Sequence, residues 1–198
     1  LKRALVSCCN GGYLDMEPLD IFKASGAILD GHFSLTSGRH SDRYLEKFNL
    51  LQWPEYTEQI CELMANFGRQ FSPESAAGPT TGGVLLAYEV ARQMGIRGLF
   101  CEKDPNGGRS FQRGFNFSPG EPVLVVDDIV TTGGSLIDTI AAVRNAGANP
   151  VAVVAIADRT GGKIDLGLPF FAALTIDIPS WESNDCPKCS DGEPITNT

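Results

Sequence analysis

The stretch that decides the fold covers residues 123–135 and reads VLVVDDIVTTGGS. Residues 123–126 are apolar at consecutive positions rather than alternating, which predicts a short strand buried on both faces. Asp127 and Asp128 follow at its carboxyl end, and Thr131, Thr132, Gly133, Gly134 and Ser135 open a helix. In a parallel sheet such a junction is where ligands bind. Free amides at a helix start favour a phosphate, glycines let the backbone approach it, and the three hydroxyls add donors. Two carboxylates beside a phosphate would repel it unless ribose hydroxyls and Mg²⁺ lie between them, so a sugar phosphate satisfies the whole loop. Read alone, Asp127 and Asp128 also suit plain helix N-terminal charges, and TTGGS a capping turn. No GxxxxGK[ST] and no GxGxxG occurs, which removes Walker-type kinase and dinucleotide readings.

Working outward, residues 54–71 place Ile60, Leu63, Met64, Phe67 and Phe71 at steps of three and four behind Pro54, predicting an amphipathic helix. Val84, Leu85, Ala87, Tyr88, Ala91 and Met94 repeat the spacing before Gly95. Leu136, Ile137, Ile140, Ala141 and Val143 do so before Gly147. Residues 151–157 and 170–176 are further short apolar runs that read as buried strands. Strand and helix alternate along 75–177, so the fold class is α/β, a parallel sheet with crossover helices. Residues 99–120 break the rhythm with an Asp-Pro-Asn-Gly-Gly turn and the alternating Phe111, Phe115 and Phe117, predicting a mobile loop or hairpin between strands.

The 198 residues, 42% hydrophobic and 20% charged, suit one soluble unit with trimmings rather than two domains. No run approaches the roughly 18–20 apolar residues of a membrane helix, and LKRALVSCCNGGY lacks the apolar centre of a signal peptide, so a cytoplasmic address is expected. A net charge of −8 argues against a nucleic-acid partner. Six cysteines, at 8, 9, 61, 101, 186 and 189, are too irregularly spread for a disulfide framework. Cys186-Pro-Lys-Cys189 is half of a zinc-knuckle pattern. Cys8 and Cys9 or a second subunit would have to complete it, and a plain turn is the simpler expectation. His32 and His40, the only histidines, read as solvated loop residues.

The 123–135 stretch, an apolar strand, two acids, two small or apolar residues and TTGG-S, resembles without departure the phosphoribosyl-pyrophosphate signature of type I phosphoribosyltransferases. That resemblance implies a Rossmann-like parallel core. It puts residues 131–135 on the 5-phosphate, and Asp127 and Asp128 on the ribose hydroxyls as catalytic residues. Gly78-Pro-Thr-Thr-Gly-Gly83 resembles the family's pyrophosphate loop, with Thr80, Thr81, Gly82 and Gly83 facing the leaving group; a glycine-rich turn is the plainer alternative. Mg²⁺ is implied as the cofactor, held mainly through substrate.

Residues 31–44 carry F-x-L-x-SGR-x-S-x-x-Y, which resembles the N-terminal motif of orotate phosphoribosyltransferases, where the segment covers the base. LLQWPE, Asp158-Arg159 and the CPKC tail extend the likeness to a bacterial orotate subgroup with a short loop. The resemblance implies orotate contacts at Ser37, Gly38, Thr131 and Arg159. An arginine at a strand end can hold a carboxylate with two parallel hydrogen bonds; a salt bridge to Asp158 or Asp165 is the alternative for Arg159. It further implies a homodimer and a single unit over 1–198, with hood segments at about 1–50 and 178–198 and a core at about 51–177.

The departure lies in the loop, where better-known orotate enzymes carry RK-x-x-K-x-HG. Here only Lys103 is in register, as a catalytic and pyrophosphate-binding residue, with Arg109 and Arg113 as the other cations able to offset charge on leaving pyrophosphate. Thr36 stands where the usual F-x-L-K-SG has lysine. The implied reaction joins N1 of orotate to the phosphoribosyl group. A xanthine-type purine acceptor, or a non-catalytic phosphoribosyl-pyrophosphate sensor, would share the 123–135 stretch.

Overall fold

A computed structural model describes residues 16–35 and 37–198 of the chain. In chain order these form α1 (Pro18–Ala24), β1 (Ile28–Ser34), β2 (His40–Leu45), α2 (Lys47–Leu51), α3 (Pro54–Gly68), β3 (Ser75–Pro79) and α4 (Gly82–Met94). There follow β4 (Arg97–Lys103), β5 (Arg109–Ser110), β6 (Pro122–Val130), α5 (Gly134–Asn145), β7 (Asn149–Asp158), β8 (Phe170–Thr175), α6 (Pro187–Ser190) and β9 (Thr196–Asn197). The large sheet has the order β5-β4-β3-β6-β7-β8; all its neighbours pair in parallel except β5, which folds back antiparallel on β4. A small sheet, β2-β1-β9, joins a hairpin from the start of the described chain to its last residues.

Residues 123–126 are fully buried and split between two cores, as consecutive apolar residues on a strand must. Leu124 and Val126 pack with Ile60, Met64, Leu86 and Val90 under α3 and α4. Val123 and Val125 pack with Leu136, Ile140 and Val143 of α5 on the other face. Each such side chain contributes about 1.5–3 kcal/mol on burial. The α3 helix starts at Pro54, and residues 69–71 form a 3-10 turn after it. The α4 helix stops at Gly95, whose φ of 70° supplies the left-handed cap.

Three expectations need correction. Leu85, Tyr88 and Ile137 share the helical spacing yet are 48%, 67% and 55% exposed, because the buried stripe is narrower than their arc. The β6 strand runs to Val130, so Asp127 and Asp128 lie inside it; β7 keeps pairing with it up to Val130 opposite Asp158. The histidines are not solvated loop residues: His32 is 4% exposed and its ring meets that of His40 edge-on at 5.1 Å. Cys8, Cys9 and Thr36 lie outside the described residues.

Of residues 99–120, expected to form a mobile loop or hairpin, 99–103 belong instead to β4 of the parallel sheet; the hairpin turns at 104–108 into β5, and the aromatic stretch after it is anchored. Phe111 meets Phe117 at 4.8 Å, Phe115 meets Phe100 at 5.2 Å, and all three loop phenylalanines pack against the α5-side core.

Candidate active site

The connection from β3 through α4 turns to β4 on one side, while that from β6 through α5 turns to β7 on the other. Since β3 and β6 are neighbours, their carboxyl ends flank the switch point where open α/β sheets bind ligands. The loop of residues 80–83 and that of 131–135 therefore lie side by side. They touch: a Cβ on Gly82 would collide with the Asp128 carboxylate. The Thr80 amide is held by the Cys101 carbonyl at 3.0 Å, and the Thr80–Thr81 peptide is cis.

Gly133 starts α5 with a φ of 79° and no side-chain cap, and a Cβ there would run into Ile164. The uncapped first turn leaves backbone donors for an anion. A cleft of about 50 Å³ is lined by Asp127 and residues 129–136, among them Thr131, Thr132 and Ser135.

Asp127 is buried, and its Oδ1 accepts the Asp128 amide at 2.8 Å. Burial first, and the neighbouring Asp128 charge second, push its carboxyl up to about 6. Asp128 is held through the Ile129 amide at 2.6 Å and the Lys47 ammonium at 2.6 Å. Lys47 opens α2 some eighty residues earlier, and no motif in the chain marks it. The nearby donors are oxygens, which suits a hard cation; both Asp128 oxygens are engaged by N–H donors, which favours a cation reached through ligand oxygens.

Of the hairpin cations, Arg109 reaches the loop, its Nη2 donating to Ser135 Oγ at 3.3 Å, while its buried Nη1 has no hydrogen-bond partner among the described residues. Lys103, exposed at the end of β4, pairs in register with Arg109. Arg113 is turned to Glu102, which accepts two hydrogen bonds from it at 2.8 and 2.9 Å.

Arg159 leaves β7 beside the loop, its amide donating to the Val130 carbonyl at 2.9 Å. Its Nε is buried without a partner among the described residues, and burial lowers the guanidinium from its ordinary value, with Tyr44 close enough to counter part of that. The alternative salt bridges do not form. Asp158 accepts the amides of Thr160 and Gly162 at 2.7 and 2.9 Å, and Asp165 accepts that of Gly167. Tyr44, the last residue of the 31–44 motif, is thereby placed beside Arg159.

Ser37 and Gly38 form the exposed turn between β1 and β2, where Gly38 has a φ of 80° and donates to Leu35 at 2.8 Å. Among the described residues neither bonds to Arg159 or to the loops. Arg39 beside them is fastened to the tail, donating to Ser180 Oγ at 2.9 Å and pairing with Glu182.

Residues 48–182 match the family model of the phosphoribosyl transferase domain. The orotate phosphoribosyltransferase of Heliobacterium modesticaldum is 46% identical over 180 residues, covering 90% of this chain and 94% of that protein. The orotate phosphoribosyltransferase of Desulforamulus reducens is 44% identical over 178 residues, covering 90% and 93%. Among solved structures, the orotate phosphoribosyltransferase of Aeropyrum pernix superposes with a TM-score of 0.65 at 26% identity, covering 80% of this chain and 93% of that one. An uncapped helix start at the switch point, paired carboxylates and relatives of this closeness agree: the chain belongs to the phosphoribosyltransferase family, and within it to the orotate phosphoribosyltransferases.

Proposed function

We propose that the protein transfers the 5-phosphoribosyl group of phosphoribosyl pyrophosphate to N1 of orotate, releasing orotidine 5′-phosphate and pyrophosphate, a step of pyrimidine synthesis. The names of its relatives support the reaction. The observation that carries the acceptor is Arg159, whose buried Nε, unpartnered among the described residues, stands next to the ribose-side loop. A guanidinium with an open donor suits a carboxylate on the base, which xanthine and uracil lack.

In this reading residues 131–135 hold the 5-phosphate through amides and hydroxyls. Asp127 and Asp128 accept the ribose hydroxyls, and Lys47 holds the Asp128 carboxylate in place. Thr80, Thr81, Gly82 and Gly83 take the pyrophosphate, with Lys103 and Arg109 supplying positive charge as it leaves. Thr131 and the turn at Ser37 and Gly38 contribute to the orotate side. N1 displaces pyrophosphate at the anomeric carbon without a protein nucleophile, so positioning and exclusion of water supply the rate. When bound, Mg²⁺ would neutralise pyrophosphate charge; the oxygen donors here fit it, held mainly by substrate oxygens.

The unit proposed is the whole chain, with the small sheet as a hood over the core and the hairpin at 102–113 closing on the bound substrate. A homodimer is proposed through the face carrying Leu85 and Tyr88, which are exposed on α4. The address proposed is the cytoplasm, because both substrates are anions that do not cross a membrane unaided; among the described residues no helix is long and apolar enough to span one. The test is pyrophosphate release from phosphoribosyl pyrophosphate with orotate, uracil or xanthine as acceptor. Turnover with orotate alone is expected. Turnover with xanthine alone, or with no base at all, would overturn the proposal.

A further inference from the structure

We propose that His32, His40, Cys186 and Cys189 bind one zinc ion as a closed structural site that clamps the tail onto the β1–β2 hairpin. One ligand atom from each of the four lies within 4.8 Å of all the others. Zinc bonds of about 2.0–2.1 Å to nitrogen and 2.3 Å to sulfur give a tetrahedron with edges of about 3.3–3.8 Å. Four of the six edges lie within 0.4 Å of these lengths: His32 Nε2 to His40 Nδ1 is 3.2 Å, to Cys186 Sγ 3.5 Å and to Cys189 Sγ 3.6 Å, and Cys189 Sγ to His40 Nδ1 is 3.2 Å; the two from Cys186 to Cys189 and to His40 are within 4.8 Å.

The hydrogen bonding of His32 supports a cation beside these distances. Its Nδ1 lies 2.9 Å from the Glu193 carbonyl oxygen, which can only accept, so Nδ1 donates there, and in the neutral ring that a metal binds Nε2 then presents a lone pair. That lone pair faces two sulfurs and a second imidazole nitrogen at once. One hydrogen-bond donor could satisfy one of these contacts; a metal ion satisfies all four groups together. A backbone carbonyl on the far nitrogen is also the partner that orients a zinc-bound imidazole.

The backbone is built to bring the ligands together. Cys186 precedes Pro187 at the start of α6, so Cys189 returns one turn later on the same side. His40 is held to Trp181 by a reciprocal pair of backbone hydrogen bonds at 2.8 Å. His32 and Cys186 are buried, at 4% and 1% exposure. Two nitrogens and two thiolates suit zinc and not Mg²⁺, so this site is separate in kind from the carboxylates of β6. Four protein ligands leave no open position for chemistry, which makes the ion structural. Its place is informative: His32 and His40 bracket the turn that carries Ser37 and Gly38, and Cys186 and Cys189 belong to the tail.

The test uses the full chain without a histidine tag, purified under reducing conditions without chelator and assayed for metal directly. About one zinc per chain is expected, released to a colorimetric chelator when the thiols are blocked. Cobalt loaded in its place should give the strong visible absorption of a tetrahedral thiolate site. The exposed Cys189→Ser, chosen because it can fold, should bind zinc at least tenfold more weakly. Stripping the metal should lower the melting midpoint on the order of 10 °C. Failure to take up zinc after reduction and reconstitution, a Cys186–Cys189 disulfide that takes up no zinc once reduced, or full zinc content in the Cys186→Ser/Cys189→Ser double variant would overturn the proposal. None of these measurements depends on which base the enzyme uses.

Discussion

Replacing Arg159 by alanine should separate base recognition from everything else in the site. The guanidinium offers two parallel, charge-assisted hydrogen bonds to a carboxylate, each of a kind worth about 1.5–3 kcal/mol. Truncating a buried partner of such a pair costs about 2–5 kcal/mol. Arg159 is only half-buried, which places the loss near the lower end, about 2–3 kcal/mol. That corresponds to a fall of about 30- to 150-fold in kcat/KM for orotate, with the KM for phosphoribosyl pyrophosphate little changed. Stability should move the other way or not at all. Among the described residues the Nε has no partner, so its removal relieves a desolvation cost and offsets the lost packing of the side-chain stem. The melting midpoint should stay within about 4 °C of wild type. Arg159→Lys keeps the charge and loses the fork, so it should recover only part of the activity, leaving about a tenfold deficit. The assay is orotate-dependent pyrophosphate release under pseudo-first-order conditions. An Arg159→Ala enzyme within about threefold of wild type would refute the placement of the base.

Asp127 has its carboxyl raised to about 6, so kcat/KM for phosphoribosyl pyrophosphate should fall as pH drops through about 6 rather than about 4. The 5-phosphate itself titrates near 6; a limb that survives in Asp127→Asn would assign the effect to substrate and refute this one. The linked stability change has the opposite sense. A carboxyl raised on folding penalises the charged native state, so its contribution makes the free protein more stable as pH falls from about 6 to 4, by denaturant titration. In the hairpin, Arg109→Ala should cost about tenfold or more in kcat/KM and Arg113→Ala only a few-fold, since Arg113 is tied to Glu102; equal losses would contradict that ordering. Limited proteolysis at residues 104–108 should slow when phosphoribosyl pyrophosphate is bound, and an unchanged rate would count against closure. Sedimentation should give twice the mass of one chain, and Tyr88→Glu should shift it to monomer; a wild-type monomer would dismiss the proposed face.

Much of the architecture is local in origin and was readable without coordinates. Consecutive valines and leucine in 123–126 demand burial on two faces, and a strand with two buried faces demands helices on both sides of a sheet. Glycines and hydroxyls at the following helix start announce an anion by the same local logic. β3 was not readable as a strand. Its SAAGP has no strand-forming side chains, and it becomes a strand only because β4 and β6 supply hydrogen bonds on either side. The exposure of Tyr88 likewise depends on how much of α4 its neighbours cover.

The residues 123–135 alone determined a phosphate-binding α/β protein, because a loop and the helix it opens are specified within one continuous stretch. Only the tertiary structure brought Lys47 to Asp128, turned Arg113 away toward Glu102, and buried the Arg159 Nε without a partner among the described residues. It also closed Cys186 and Cys189 around His32 and His40, where the half-knuckle in the sequence lacked two ligands. Those pairings join positions far apart in the chain, and their formation depends on strand order and hairpin register, which no local spacing encodes.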